Sequence, residues 1–341
     1  MAARLGFAVK VLGQPGFKSN DSRRWQSGPH LRVSLEYLHA IFGYLEKAKI
    51  RMYRMSSDVA PYATHPDLPQ FHGQIAESRA ELAALGQRAR ELDLRLSFHP
   101  SQFIVMNAPD DGVRRKSIWD LTVQAELLDA MGLGPEAVLV IHVGGAYDDR
   151  NAAMDRWAAC YQELPEAPRR RLVLENDDIR FSAADVLKLH ERTGVPLVFD
   201  MQHHQCLNPD GLEWRPTLER FLRTWPAGVQ PKVHYSSPRT QMREVIRANR
   251  KTGKKETFLQ PPIWTGHADY VDPFSFIRFV AETNGLSFDV MLEAKAKDLA
   301  LLRLRRDIKT YAPELQFRFD VVETAEIPAD VEIPAVELET S

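Results

Sequence analysis

The chain has 341 residues, 44% of them hydrophobic and 26% charged, which suits one large core or two ordinary ones and excludes a mostly disordered protein. The formal net charge of −2 is skewed by the C-terminus, where Asp320 to Ser341 hold seven acids and no Lys or Arg, leaving 44 basic against 39 acidic residues in the body. That is a mild basic bias, compatible with a polyanionic partner.

No apolar run is long enough to cross a bilayer, and Met1–Arg4 leads straight into a strand-like segment with no secretory leader. Cys160 and Cys206 stand far apart, so neither a disulfide framework nor a Cys-type zinc site is indicated. A cytoplasmic monomer is expected, with no membrane and no nucleotide cofactor.

In chain order, short β-type runs alternate with long amphipathic stretches. Leu5–Lys10 reads as a strand, and a polar loop with Asn20, Arg23, Arg24 and Trp25 leads to a helix over Leu31–Lys47. Ile50–Met55 is a strand, the Pro-rich loop 57–69 follows, and Gln70–Leu92 reads as one helix. Strand Leu94–Phe98 ends in His99, helix Val113–Met131 follows, and strand Ala137–Ile141 ends in His142. Helix Ala152–Leu164 precedes Leu172–Leu174, which ends in Glu175; helix Ala183–Arg192 precedes Pro196–Phe199, which ends in Asp200. Helix Leu218–Trp225 precedes Lys232–Val233, which ends in His234. After a long loop and helix Phe274–Thr283, Phe288–Leu292 ends in Glu293, and helix Leu299–Tyr311 closes the order.

Alternation of this kind predicts a parallel sheet with right-handed crossovers, and its length suits a closed α/β (β/α)8 TIM barrel over residues 1–317. Residues 318–341 read as an acidic tail, extended around Pro328 and Pro334. No G-x-G-x-x-G follows the first strand, which weakens a dinucleotide-binding reading.

Each of His99, His142, Glu175, Asp200, His234 and Glu293 follows an apolar run where a barrel strand would end. Singly, such a residue is usually a hydrogen-bonded structural group or a helix cap. In register they would converge on one face, because a barrel gathers its strand ends there and packing gives no reason for titratable groups at every mouth. With His203 and His267 in the loops there are eight candidate ligands, enough for two or three ions. Imidazole with carboxylate suits manganese, zinc or iron. His72 and His204 are candidates for proton transfer.

The stretches RMYRMSSDVAPYATHPDL, LSFHPSQFIVMNAP, VIHVGGAYDDR, LVLENDD, VFDMQHHQCLNP, KVHYSSPR and GHADYVDPFSF resemble the motifs of the UV damage endonucleases, TIM-barrel repair enzymes related to endonuclease IV. The resemblance implies three divalent ions, manganese first, with zinc or magnesium as alternatives. It assigns His99 and His142 to one ion, makes Glu175 a bridge to a second held by Asp200, His234 and Glu293, and gives His203 and His267 to the third. Lys232 matches a lysine that can be carboxylated; Glu175, Lys232 and His234 would be the catalytic set. Gln102 and Phe103 match a pair that probes the duplex beside the lesion, although Phe103–Met106 is an apolar run that by composition belongs in a core. The stretch Gly6–Val11 departs from the resemblance, lacking the Tyr and the Asn that many relatives carry there; Phe7 is expected to stack on a displaced base without the hydrogen bonds those residues would add.

Arg239, Arg243 and Arg247 recur every four residues, which predicts one face of a phosphate-tracking helix, in a segment longer than the resemblance leads one to expect. The implied activity is nicking of double-stranded DNA 5′ of UV photoproducts, and of abasic sites. Two alternatives stay open: a metal-dependent sugar isomerase on a similar barrel, and a noncatalytic DNA-binding barrel.

Overall fold

The computed structural model describes residues 3–249 and 252–319; the acidic tail from residue 320 onward lies outside them. Eight short strands form the centre. They are β1 (Leu5–Ala8), β2 (Met52–Arg54), β3 (Arg95–Ser97), β4 (Leu139–Ile141), β5 (Leu172–Glu175), β6 (Leu197–Asp200) and β7 (Lys232–Tyr235). Four strands outside the barrel follow: β8 (Pro238–Arg239), β9 (Arg243–Ala248), β10 (Lys255–Gln260) and β11 (Ile263–His267). Then β12 (Asp289–Leu292) completes the eight.

The barrel strands pair in parallel in the order β3-β2-β1-β12-β7-β6-β5-β4. A parallel bridge between Phe98 and Leu139 closes the ends, with Phe98 N donating to Val138 O and Val140 N to Phe98 O, both at 3.0 Å. The protein is therefore a TIM barrel, as expected from the alternation.

Successive side chains of a strand point to opposite faces, and two core clusters reveal which is which. Leu139, Ile141, Leu172, Leu174, Leu197 and Phe199 pack into the large core shared with the helices, whereas Val138, Val140, Val173 and Val198 pack with Trp225 in a separate cluster. The second set faces the barrel interior. Carried along each strand, the interior column reaches Arg54, His99, His142, Glu175, Asp200, His234 and Glu293. Their convergence is a consequence of register.

The same parity corrects the expectation for Phe7. With Leu5 it belongs to the outward column and is fully buried, its ring edge-on to Tyr53 at 5.4 Å. Gly6 is the inward residue, where an added Cβ would lie 2.6 Å from Met52 Cγ. Phe7 has no exposed face for a base.

Several helices begin where a carboxylate accepts from a free backbone N–H: Asp110 from Val113 N at 2.9 Å, Asp149 from Ala152 N at 3.0 Å, Asp272 from Ser275 N at 2.7 Å. The single helix expected over 70–92 is broken into a 3-10 turn, Pro69–Phe71, and helices Gln74–Glu77 and Arg79–Glu91. Gln74 is buried there and braces the Leu31–Lys47 helix, accepting from Leu31 N at 2.7 Å while donating to Pro61 O and Phe71 O. Two helices, Glu166–Arg171 and Met201–Cys206, add to those expected.

The largest difference is between β7 and β12. Arg239, Arg243 and Arg247 lie on strands, not on a helix: β9 pairs antiparallel with β10, and β8 with β11. Val245, Ile246, Thr257 and Phe258 explain the choice, since β-branched and aromatic residues crowd a helix and fit a pleated ribbon. An i, i+4 spacing also falls on one face of a strand, so Arg243 and Arg247 still share a side.

Candidate metal centre

Glu175 is the hub. It is fully buried, and its two oxygens serve different imidazoles: His234 Nδ1 lies 2.8 Å from Oε1 and His99 Nε2 lies 3.1 Å from Oε2. His142 Nε2 stands 3.7 Å from Oε2 and His203 Nδ1 3.5 Å from Oε1. The same His234 Nδ1 lies 3.3 Å from Glu293 Oε1, and Glu293 Oε2 is 3.5 Å from His267 Nε2.

Backbone geometry delivers the two histidines that parity does not. Asp200 caps the Met201–Cys206 helix, accepting from His203 N at 2.8 Å, and that turn folds His203 back over the mouth. His203 Nδ1 then meets Asn176 O at 3.0 Å. Asn176 ties β5 to β6 reciprocally, donating to Asp200 O at 3.1 Å and accepting from Asp200 N at 3.0 Å. His267 ends β11, and its Nδ1 is 2.8 Å from Ser236 Oγ.

Three constellations have ligand atoms within 4.8 Å of one another: His99–Glu175–His234, Glu175–Asp200–His203–Glu293, and His203–His267–Glu293. This partition differs from the expected one. His234 sides with His99, Glu293 is shared, and His142 stands beside the groups without belonging to one. Glu175, Glu293 and His203 each belong to two of these groups.

Electrostatics suit cations. Burial opposes ionisation of Glu175, but the charges of His234 and His142 and the hydrogen bonds from His234 and His99 hold its carboxyl well below the usual range. Glu293, equally disfavoured by burial, is held low by Arg54 and His234. Asp200 is pushed up to about 6, by burial first and then against His203 by the charges of Glu175 and Glu293. His203 goes up to about 10 because Asp200, Glu175 and Glu293 outweigh its burial. Its proton stands in for positive charge the carboxylates require. In addition, His234 Nε2, Asp200 Oδ2 and His142 Nδ1 are buried without a hydrogen-bond partner among the described residues. Such orphans each cost about 1–3 kcal/mol, and all three are atoms of the kinds, imidazole nitrogen and carboxylate oxygen, that can ligate a metal. The residues present fit divalent ions held by imidazole and carboxylate.

The profile of the family described as UV-endonuclease UvdE matches residues 31–318. This chain belongs to the UvdE family. A UV DNA damage endonuclease of Bacillus velezensis is 35% identical over 283 residues, covering 82% of this chain and 80% of the relative. The crystal structure of SacUVDE superposes with a TM-score of 0.73 at 30% identity, covering 90% of this chain and 98% of that one. An L-ribulose 3-epimerase, at TM-score 0.52 and 14% identity over 90% of this chain and 86% of that one, shares the fold alone.

Within this UvdE-family chain the remaining expected residues divide. Lys232 is fully buried in the barrel, its Nζ 3.3 Å from Ser97 Oγ; burial first, then Arg95 and Arg54, pull its ammonium well below the usual range. Gln102 and Phe103 follow His99 in an exposed turn, and the Phe103 ring is 77% exposed, so the apolar run does not put it in the core.

Arg239 is buried and donates to Pro261 O at 3.1 Å, fastening the base of the excursion instead of facing solvent. Arg243 is spent on Asp269. Arg247 remains exposed, its guanidinium over the Phe258 ring at 4.6 Å, near exposed Lys254 and Lys255.

His204 and His72 serve elsewhere. His204 accepts a structural role, with Nε2 3.0 Å from Leu212 O and its ring against the outward Phe199 at 5.2 Å; His72 stands edge-on to Trp119 at 4.8 Å. Arg54, which binds Glu293, was missed by sequence reasoning. Its signal was parity, since it ends β2 on the same column as the ligands.

Proposed function

We propose that this chain is a metal-dependent endonuclease that nicks double-stranded DNA on the 5′ side of UV photoproducts, cyclobutane dimers and 6-4 photoproducts, and also at abasic sites. The observation that carries the reading is the pair of carboxylates, Glu175 and Glu293, ringed by five imidazoles at one barrel mouth. Family membership supplies the substrate class. Acting on DNA, the protein would work as a cytoplasmic monomer.

His99, His142, Glu175, Asp200, His203, His234, His267 and Glu293 would hold up to three divalent ions, manganese first and zinc or magnesium next. Bound there, the ions supply Lewis acidity for phosphodiester hydrolysis: activation of water and neutralisation of phosphate charge. Glu175 and Glu293 fix the spacing of the ligand set, and His234, hydrogen-bonded to Glu175, orients it. Lys232, whose ammonium burial pulls well below its usual range, would in its amine form add carbon dioxide, its nitrogen bonding to the carbon and releasing a proton. The carbamate formed would be a further carboxylate-like ligand.

Recognition falls to the rim. Phe103 and Gln102 offer a ring to stack and an amide to hydrogen bond where damaged nucleotides leave the duplex, and the cost of flipping is lowest at such steps. Arg247, Lys254 and Lys255 offer phosphate contacts from the ribbon β9–β10.

The test is incubation of the purified protein with manganese and irradiated or undamaged duplex. Damage-dependent nicking with a 3′-hydroxyl is expected. Sugar turnover without nicking, or binding without either, would replace the reading by an isomerase or a noncatalytic barrel.

A further inference from the structure

Three adjacent strands in the order β2-β1-β12 carry cations at their C-terminal ends, on the flank of the mouth beside Glu293. Arg54 ends β2, Lys10 stands two residues beyond β1, and Lys297 stands five residues beyond β12, where the helix Lys297–Tyr311 begins. Two of the three corners are conformationally costly. Lys297 has φ +53°, and Val9, beside Lys10, has φ +65°, a left-handed backbone that is an outlier for a β-branched residue.

The corners are held firmly. Val9 N donates to Arg54 O at 2.8 Å, and the Tyr53 hydroxyl donates to Val9 O at 2.5 Å. Asp298, the acid next to Lys297, is fully used: it accepts from Leu12 N at 2.7 Å, Gly13 N at 3.0 Å and the Tyr44 hydroxyl at 2.8 Å. Arg54 pairs with Glu293. Lys297 is half-buried, and no side-chain partner is seen for it among the described residues.

Hydrogen bonds hold the corners, but they leave the Lys297 ammonium unanswered beside other cations, on two corners with left-handed backbone. Burial first, and then Arg54, Lys295 and Lys10, draw the Lys297 ammonium down to about 8, against the pull of Glu293. Strain and repulsion kept at an active-site rim point to a ligand that relieves them. The ligand must be an anion, and the anion that a nuclease brings to its mouth is the sugar-phosphate backbone.

We propose that Arg54, Lys297 and Lys10 form a phosphodiester subsite that grips one backbone phosphate of the cut strand next to the scissile position. The proposal rests on the endonuclease reading. It assigns a binding role to residues outside the ligand set, and it makes Lys297 the residue to test, because Arg54 also touches Glu293.

The experiment measures equilibrium binding of a photodimer-containing duplex by fluorescence anisotropy across salt concentrations, with nicking and metal content followed in parallel. Lys297→Gly removes the charge and suits the positive φ; Lys297→Arg keeps the charge. Loss of one phosphate contact lowers the slope of log affinity against log salt by about 0.9 and weakens binding about 10-fold. Lys297→Gly is expected to show that loss with its metal content unchanged, and Lys297→Arg to restore it.

A set of duplexes with single neutral methylphosphonate linkages should contain one position that weakens the wild type and leaves Lys297→Gly unaffected. A Lys297→Gly variant with the wild-type slope and the wild-type methylphosphonate profile overturns the subsite even where nicking is intact. A wild type that binds with the expected slope but never nicks overturns the endonuclease reading, and with it the placement beside a scissile phosphate, while the Lys297 variants still decide whether these cations grip a backbone phosphate.

Discussion

His234 Nδ1 stands 2.8 Å from one oxygen of Glu175, and His99 Nε2 stands 3.1 Å from the other. Two ring nitrogens divided between two oxygens of one carboxylate would let Glu175 bridge two ions, as proposed above. Glu175→Ala removes both halves at once. Nicking should fall by about 10^2- to 10^3-fold or more, the scale on which loss of one preorganised electrostatic group acts. Metal content should fall with it, while far-UV circular dichroism stays native. A Glu175→Ala protein that nicks at the wild-type rate would sink the bridging role.

Phe103 and Gln102 project from a turn that starts three residues after His99, which places the rim beside the candidate centre. Stacking of a base on an aromatic ring is worth about 1–3 kcal/mol. Gln102→Ala with Phe103→Ala should therefore lower the preference for damaged over undamaged duplex by about 10-fold or more, with bound metal unaltered. Equal preference in variant and wild type would leave Phe103 as an exposed ring without a part in recognition.

Much of this was legible in the chain because a barrel repeats one rule. The strands announce themselves as apolar runs, and the residue closing each run is polar on the interior column. Parity places Phe7 outward and Gly6 inward, and places Arg54 among the ligands, from the alternation of Leu5-Gly6-Phe7-Ala8 and Met52-Tyr53-Arg54 alone. His203 was harder, since its position depends on Asp200 capping a six-residue helix that has too few residues to show a period. The segment 239–260 was misread because a spacing of four satisfies a helix face and a strand face equally, and only the β-branched residues between the arginines tell them apart.

The three arginines of that segment should now separate in experiment. Arg247 is exposed, so Arg247→Ala should lower the salt slope of duplex binding by about 0.9 and spare stability. Arg239 is 5% exposed and donates to Pro261 O, so Arg239→Ala should cost about 1–3 kcal/mol of stability, the range for breaking a buried charged hydrogen bond. Thermal unfolding and anisotropy read the two effects independently. A stable Arg239→Ala protein with a reduced slope would reverse the assignment.

The His203 proton provides the pH test. Its pKa in the metal-free fold lies at about 10, above the usual imidazole value, because Asp200, Glu175 and Glu293 outweigh burial. A raised imidazole pKa stabilises the metal-free fold fully below about 6.5 and loses that contribution as pH climbs through about 10. The carboxylates that hold the proton are the same groups that would hold a cation, so a metal ligated by His203 must expel it. Manganese added at pH 8 to weakly buffered, metal-stripped protein should release about one proton attributable to His203, and apparent affinity should rise by up to about tenfold per pH unit toward pH 10. In His203→Gln that proton should be missing and the pH dependence correspondingly shallower. Titration calorimetry in buffers of different ionisation enthalpy counts the protons directly. An unchanged count in His203→Gln would mean that His203 does not compete with the metal and keeps only its bond to Asn176 O.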